Sequence, residues 1–165
     1  MFSLIRLGAF AIIASLLPLA VLADQSASAS PGNCWVEAGV RYDVDPWLLY
    51  AIGIQESSLE PLAVNENPPQ GSRPGSKDVG LLQINSFWFD ALSEIGISES
   101  ALYDPCLNIH VGAWILAQNY LIYGKTWDAV GAYNAGTAKT EAAHQRRQKY
   151  ADSVRRIYER VAGSL

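Results

Sequence analysis

Apolar positions along this chain recur at three- and four-residue steps, with no convincing run of alternation, so the elements it predicts are helices. A short helix is predicted over residues 34–42, with Trp35, Ala38 and Tyr42 on one face and Asn33 as its cap. Asp45-Pro46 starts the next helix. A carboxylate there accepts from free N–H groups, and proline loses no bond in a first turn. From Pro46 to Ile54 this second helix has no charge and is apolar in nearly all directions, a pattern that predicts burial. Ser86 opens a further helix to about Leu92, and residues 97–103 form a turn or short helix. Asp104-Pro105 repeats the Asp-Pro start, and the longest internal helix follows over residues 106–123, ended by Gly124. Thr126 caps a helix that runs to Tyr133 and is stopped by Asn134-Ala135-Gly136. The last helix spans residues 140–161. Tyr150, Val154, Ile157 and Val161 share one face of it, while Arg146, Arg147, Arg155 and Arg156 mostly face away. Between residues 59 and 77, proline and glycine punctuate a long irregular loop, which leaves room for a small hairpin before Gly80. The expected fold is mainly α, in one domain without internal repeat or linker.

One residue breaks the apolar pattern. Glu56 lies seven residues after Leu49 and four after Ile52, on the same helical face. A carboxylate on such a stripe is costly unless it is paired, protonated or open to a cleft. It also sits near the helix C-terminus, where the negative end of the dipole disfavours an anion. Both effects raise its pKa, as a general acid requires near neutral pH. The competing reading is a buried Glu satisfied by an arginine or by backbone donors.

The N-terminus changes the picture of where the domain begins. Residues 1–6 carry one positive charge, residues 7–22 are almost wholly apolar, and Val21-Leu22-Ala23 is a small-residue cleavage site. Residues 1–23 are therefore expected to be a signal peptide, with retention as an anchor the alternative. Residues 24–32, rich in Ser and Ala, are expected to form a flexible lead-in to a domain over 33–165. About 140 residues suffice for one well-cored domain. The formal net charge is −4, and it becomes more negative without Arg6, which argues against a nucleic-acid surface. No later run is long enough to cross a membrane. The two cysteines, Cys34 and Cys106, are expected to form one disulfide in an exported chain.

Several chemistries have no support. The two histidines, His110 and His144, stand apart without ligand spacing, so no metal is expected. There is no Gly-rich phosphate loop and no nucleophile elbow. What remains is Glu56, a long loop, the amides Gln83 and Asn85, and a second polar cluster at Tyr133-Asn134. An acid among amides and tyrosines, in a chain with five tryptophans and eight tyrosines, suits glycosidic bond cleavage.

Glu56-Ser57, then Gly80-Leu81-Leu82-Gln83-Ile84-Asn85, then Ala132-Tyr133-Asn134-Ala135-Gly136 resemble, in that order, the three signature motifs of soluble lytic transglycosylases. Asn108-Ile109, the run from Gly112 to Leu116, and Tyr150-Ala151 with Val154 fit the same pattern. The likeness is greatest to the small single-domain members that accompany secretion, conjugation and pilus systems. Cys34 before the first helix and Asp104-Pro105-Cys106 before the long one match them. The resemblance covers residues 33–158. It implies a goose-lysozyme-like α fold that cleaves the β-1,4 bond between N-acetylmuramic acid and N-acetylglucosamine. Glu56 would be the single catalytic acid and base, protonating the leaving oxygen and then deprotonating the muramoyl C6 hydroxyl to close a 1,6-anhydro ring. The substrate's N-acetyl group would assist. Gln83 matches a substrate-binding glutamine, Tyr133 and Asn134 match residues near the acid and substrate, and Tyr150 matches a last-helix tyrosine near the acid. No cofactor is implied. The expected setting is the periplasm, as a monomer acting on peptidoglycan strands, with components of a secretion, conjugation or pilus apparatus as candidate partners.

The sequence departs from the family in places. Leu82 stands where methionine is more frequent, changing one wall of the expected sugar site. Asn65 stands where some members have an assisting serine, and residues 65–79 make a longer loop than in compact relatives. Two other functions compete: a hydrolytic muramidase, for which Asp78, Glu60 or Glu66 would supply the second carboxylate, and a non-catalytic peptidoglycan-binding assembly factor.

Overall fold

The computed structural model describes residues 31–69, 71 and 74–163. The expected signal peptide lies outside the described residues, as does most of the expected lead-in. Pro31 and Gly32, read as lead-in, already belong to the first helix.

The described residues form six α-helices and a small antiparallel sheet: α1 (Pro31–Tyr42), α2 (Pro46–Ser57), β1 (Val64–Asn67), β2 (Ser76–Val79), β3 (Ile84–Asn85), α3 (Phe89–Glu94), α4 (Pro105–Tyr123), α5 (Trp127–Ala135) and α6 (Glu141–Ala162). Short 3₁₀ turns occupy Ser86–Trp88 and Glu99–Tyr103. The mainly α reading therefore holds, and the hairpin before Gly80 exists with a third strand added. The first helix starts earlier than expected. Asn33 therefore lies inside α1 rather than capping it.

The Asp-Pro starts behave as their chemistry requires. The Asp45 carboxylate accepts from Trp47 N–H at 2.8 Å, and that of Asp104 accepts from Leu107 N–H at 2.7 Å. Thr140 caps α6 by accepting from Ala143 N–H at 3.2 Å. At its far end α2 closes through Ser58 and Leu59, both at positive φ, which donate to the carbonyls of Ile54 and Gly53.

The core runs through α2 and α4 and reaches the sheet: Leu49, Ile52, Leu82, Ile84, Ile109 and Leu116 are all at most 1% exposed. α2 packs against α1 and α6, α1 against α4, and α5 along α6. Burial of α2 is less complete than its composition predicts. Trp47 is 39% exposed, because the face carrying Trp47 and Tyr50 opens on a groove beside Trp35 rather than on another helix. Cys34 and Cys106 form the expected disulfide, with Cα atoms 5.3 Å apart. It joins the first helix to the start of α4.

One polar side chain fixes the junction between helices and sheet. Asn108 in α4 is wholly buried. Its amide donates to Val79 O at 3.0 Å and Leu102 O at 2.8 Å, and its oxygen accepts from Leu82 N–H at 2.7 Å. Gly80 leaves the room this needs. A Cβ there would lie 2.2 Å from the Asn108 amide nitrogen, and its φ of +77° favours glycine as well.

Candidate active site

The turn that Asn108 holds delivers Gln83 to a cleft of about 360 Å³. One wall of the cleft is the sheet. Another is the C-terminal end of α2 with Glu56, and a third is the end of α5 with Tyr133 and Asn134.

Glu56 sits on the last turn of α2, largely buried. Burial raises its carboxyl pKa from 4.5 to about 7; the Tyr150 hydroxyl, which donates to Oε1, pulls it down, and the nearby Asp78 charge pushes it up. Tyr150 comes from α6 and is 8% exposed. Its own phenol is held well above the ordinary range, first by burial and then by the Glu56 charge. It therefore serves as a hydrogen-bond donor beneath the acid, outside the set of residues that line the cleft. Tyr133 is also pushed well up by burial, then by Glu56 and Asp78. Its hydroxyl donates to Leu82 O at 2.8 Å, which ties α5 to the Gln83 turn. Gly112 permits this crossing: a Cβ there would lie 2.4 Å from the Leu82 Cδ1 and 2.9 Å from the Tyr133 hydroxyl.

Gln83 has φ +47°, an unusual conformation for a side-chain-bearing residue. Its amide donates to Gly80 O at 2.8 Å and Ala63 O at 3.2 Å, so its side chain is fixed before any ligand arrives. Asp78 faces the cleft from the central strand, among Asn67, Ser76 and Asn85. With Trp88 and Arg146 on the rim, the site combines one protonatable carboxyl, one amide-bound carboxylate, fixed amides and an aromatic edge. A linear polar polymer with ring faces and hydroxyls suits such a lining.

The transglycosylase SLT domain model matches residues 33–155. The chain belongs to that family. Invasion protein IagB of Salmonella typhimurium (strain SL1344) is 43% identical over 132 residues, covering 79% of this chain and 78% of that one. Protein IpgF of Shigella sonnei is 44% identical over 131 residues, with 79% and 82% covered. X polypeptide of Escherichia coli is 44% identical over 133 residues, with 80% and 76% covered.

The three segments singled out in the sequence, at Glu56, at Gln83 and at Tyr133-Asn134, meet in one cleft. Gln83, Tyr133 and Asn134 come together there with Glu56, and Tyr150 reaches the acid from below. Asn65 is not among the lining residues. It stands beside them on β1, donating to Asn67 at 3.3 Å and Asp78 at 3.4 Å. Two expectations about side-chain direction are corrected. Leu82 forms no wall of the cleft; it is fully buried beneath it against Gly112. Arg147 does not face away. It is 6% exposed and donates to Gly136 O at 3.3 Å and Ala138 O at 2.9 Å, fixing the loop that follows Asn134. Arg146 is exposed, as expected, and lies at the rim of the cleft. The part of α6 that carries Arg147 packs on α5, so a position that looks outward on an isolated wheel is covered. Sequence reading also missed Asn67, Ser76 and Trp88. The first two carried no local signal, since Glu66 and Lys77 between the cleft-facing positions are polar as well.

Proposed function

We propose that this chain is a lytic transglycosylase cleaving the β-1,4 bond between N-acetylmuramic acid and N-acetylglucosamine, with closure of a 1,6-anhydro ring on the muramoyl product. The observation that carries the reading is Glu56: a carboxyl with its pKa raised to about 7, set in a cleft and hydrogen-bonded by a buried tyrosine.

Such a carboxyl holds its proton near neutral pH and releases it readily. In the first step Glu56 gives its proton to the glycosidic oxygen as the bond from C1 breaks. The substrate's N-acetyl oxygen bonds to C1 as the leaving oxygen departs, giving an oxazolinium ion. In the second, the Glu56 carboxylate takes the proton of the muramoyl C6 hydroxyl while the C6 oxygen bonds to C1 and the bond from C1 to the N-acetyl oxygen breaks. The acid is regenerated and no water is consumed. Gln83 and Asn134 are assigned to the sugar's hydroxyl and N-acetyl groups, Tyr133 to the cleft floor, and Tyr150 to orienting Glu56. Asn65 acts from the neighbouring strand. No step calls for a metal or cofactor.

The setting proposed is the periplasm, where the polymer lies, after export by residues 1–23. Among the described residues, no helix is long and apolar enough to cross a membrane. The relatives named for invasion support a role in opening the wall locally for a secretion, conjugation or pilus apparatus.

Mass spectrometry of purified peptidoglycan digested with the mature domain tests the reaction. Muropeptides ending in 1,6-anhydro-muramic acid, lighter by a water than reducing ends, are expected. Reducing ends would make the enzyme a muramidase. No release from several wall types would return it to a binding or assembly role.

A further inference from the structure

Helix α6 runs against the charge of the chain. The whole sequence is acidic, at −4, yet α6 carries six basic and three acidic residues. Two of the arginines have tasks within the fold. Arg147 is buried and bonds the loop after α5, and Arg155 lies over the Trp127 ring at 4.6 Å. The other four basic residues, Arg146, Lys149, Arg156 and Arg160, recur with Ser153 at steps of three and four, so they form one exposed stripe along the helix. Glu141 and Asp152 lie off that stripe, and Glu159 flanks its far end.

The stripe begins at the cleft and leads away from it. Arg146 is on the cleft rim, one turn before the Tyr150 that bonds Glu56. Farther along, Ser153, Arg156 and Arg160 line a shallow groove against Gln55, the residue next to Glu56 in α2. Arg156 donates to Ser153 at 3.1 Å. Among the described residues, no carboxylate pairs with Arg146, Lys149 or Arg156. Like charges at three- and four-residue spacing weaken a helix. The helix dipole compensates a cation in the last turn, where Arg160 stands, and does nothing for Arg146 and Lys149 in the first half.

We propose that this stripe binds the carboxylates of the stem peptide carried by the muramoyl residue in the cleft, so that the enzyme selects peptide-bearing strands over bare glycan. The inference deepens the transglycosylase reading and rests on it. The sugar whose C1 reacts at Glu56 carries its peptide on the C3 lactyl group, so the peptide leaves the cleft within one ring of the acid. Such peptides bear several free carboxylates, which guanidinium groups bind by charge-assisted hydrogen bonds. From Arg146 to Arg160 the helix rises about 21 Å. An extended peptide of four or five residues covers about 15 Å of that.

The test is binding of intact strands to the Glu56→Gln protein, with uncrosslinked peptide-bearing strands and the same strands stripped of peptide by an amidase as probes. The peptide-bearing strands should bind about tenfold tighter, the yield of two or three exposed ion pairs. Adding Arg146→Gln and Arg156→Gln together should bring the two affinities within about twofold. Arg155→Gln, which removes a charge from another face of α6, should keep the preference. Salt at about 0.5 M should shrink it. Thermal melts establish folding, and the comparison of the two strands in the Glu56→Gln protein needs no change on α6. Equal affinity for both strands there overturns the proposal. So does a preference that survives the double variant, or one lost equally in Arg155→Gln, which would reduce the effect to net charge. Vesicles containing anionic phospholipid serve as a further probe. If they bind, release on the double variant, and the two strands do not differ, the stripe belongs to a membrane surface instead. Digestion by the wild type separates the two inferences. Anhydro products with equal strand affinities overturn the stripe alone, whereas no cleavage beside a tenfold preference overturns the reaction and leaves the stripe as a peptide-binding surface.

Discussion

With its carboxyl pushed up to about 7, Glu56 keeps its proton in the folded chain where the unfolded chain, near the ordinary 4.5, has lost it. Between those values the native state binds the extra proton, so stability falls as pH rises. Above about pH 7 the loss is complete and amounts to about 3 kcal/mol. Glu56→Gln removes this titration and leaves an oxygen that can accept from Tyr150. At pH 8 the variant should melt above the wild type, and at pH 4 close to it, while releasing no muropeptide. A lower melting temperature at both pH values would give Glu56 a structural task instead. Tyr150 provides the complementary test. Its hydroxyl bonds the carboxylate and favours the charged form, holding the pKa below what burial alone would set. Tyr150→Phe should therefore move the alkaline limb of kcat/KM to higher pH. A limb that moves down, or stays in place, would show that the hydroxyl does not act on Glu56.

Where elements meet, a few side chains without chemistry of their own hold the cleft in shape. Asn108 satisfies three buried backbone groups from the strand end, the 3₁₀ turn and the Gln83 turn together. Asn108→Ala leaves them unpaired, at about 1–3 kcal/mol for each group that finds no water. We expect a loss of at least about 3 kcal/mol in denaturant titration, and a loss under 1 kcal/mol would mean that water replaces the amide. These junctions also mark how far the sequence could be read. Helix starts were legible because capping is local: Asp45, Asp104, Thr126 and Thr140 each bond an N–H two or three residues on. Glu56 was legible for the same reason, as one charge on an apolar face. The sheet was not, because Val64–Asn67 and Ser76–Val79 carry too few apolar residues for alternation to register as a strand. Asp78 could be named only as one of three acids near the cleft; its three amide partners, Asn65, Asn67 and Asn85, depend on cross-strand register, which no local pattern states. Arg147 was misread because helical periodicity gives a face but not what packs on it.

Across the whole molecule, the Cys34–Cys106 bridge closes a loop with a sequence separation of 72 residues. That loop contains Glu56, the sheet with Asp78, and Gln83, so one side of the cleft lies within a covalent ring. The other side, with Tyr133, Asn134 and Tyr150, lies outside it. The two sides are joined by noncovalent bonds, from Tyr133 to Leu82 O and from Tyr150 to Glu56, and by α2 packing on α6. The bridge therefore acts mainly on the unfolded chain, where closing so long a loop removes conformational freedom worth about 4 kcal/mol in the chain-entropy account. It should contribute little to the geometry of the folded cleft. The double variant Cys34→Ala, Cys106→Ala should melt roughly 10–15 °C lower, taking a few degrees per kcal/mol for a domain of this size. Its kcat at 25 °C should stay within about twofold of wild type, because neither cysteine is among the residues that line the cleft. Thiol labelling of the unfolded wild type should require reductant. A melting temperature that does not change would show that the unfolded chain is already restrained without the bridge. A large fall in kcat with the fold intact would instead mean that the ring holds the sheet wall against the helices, making the disulfide part of the site rather than a support for the fold alone.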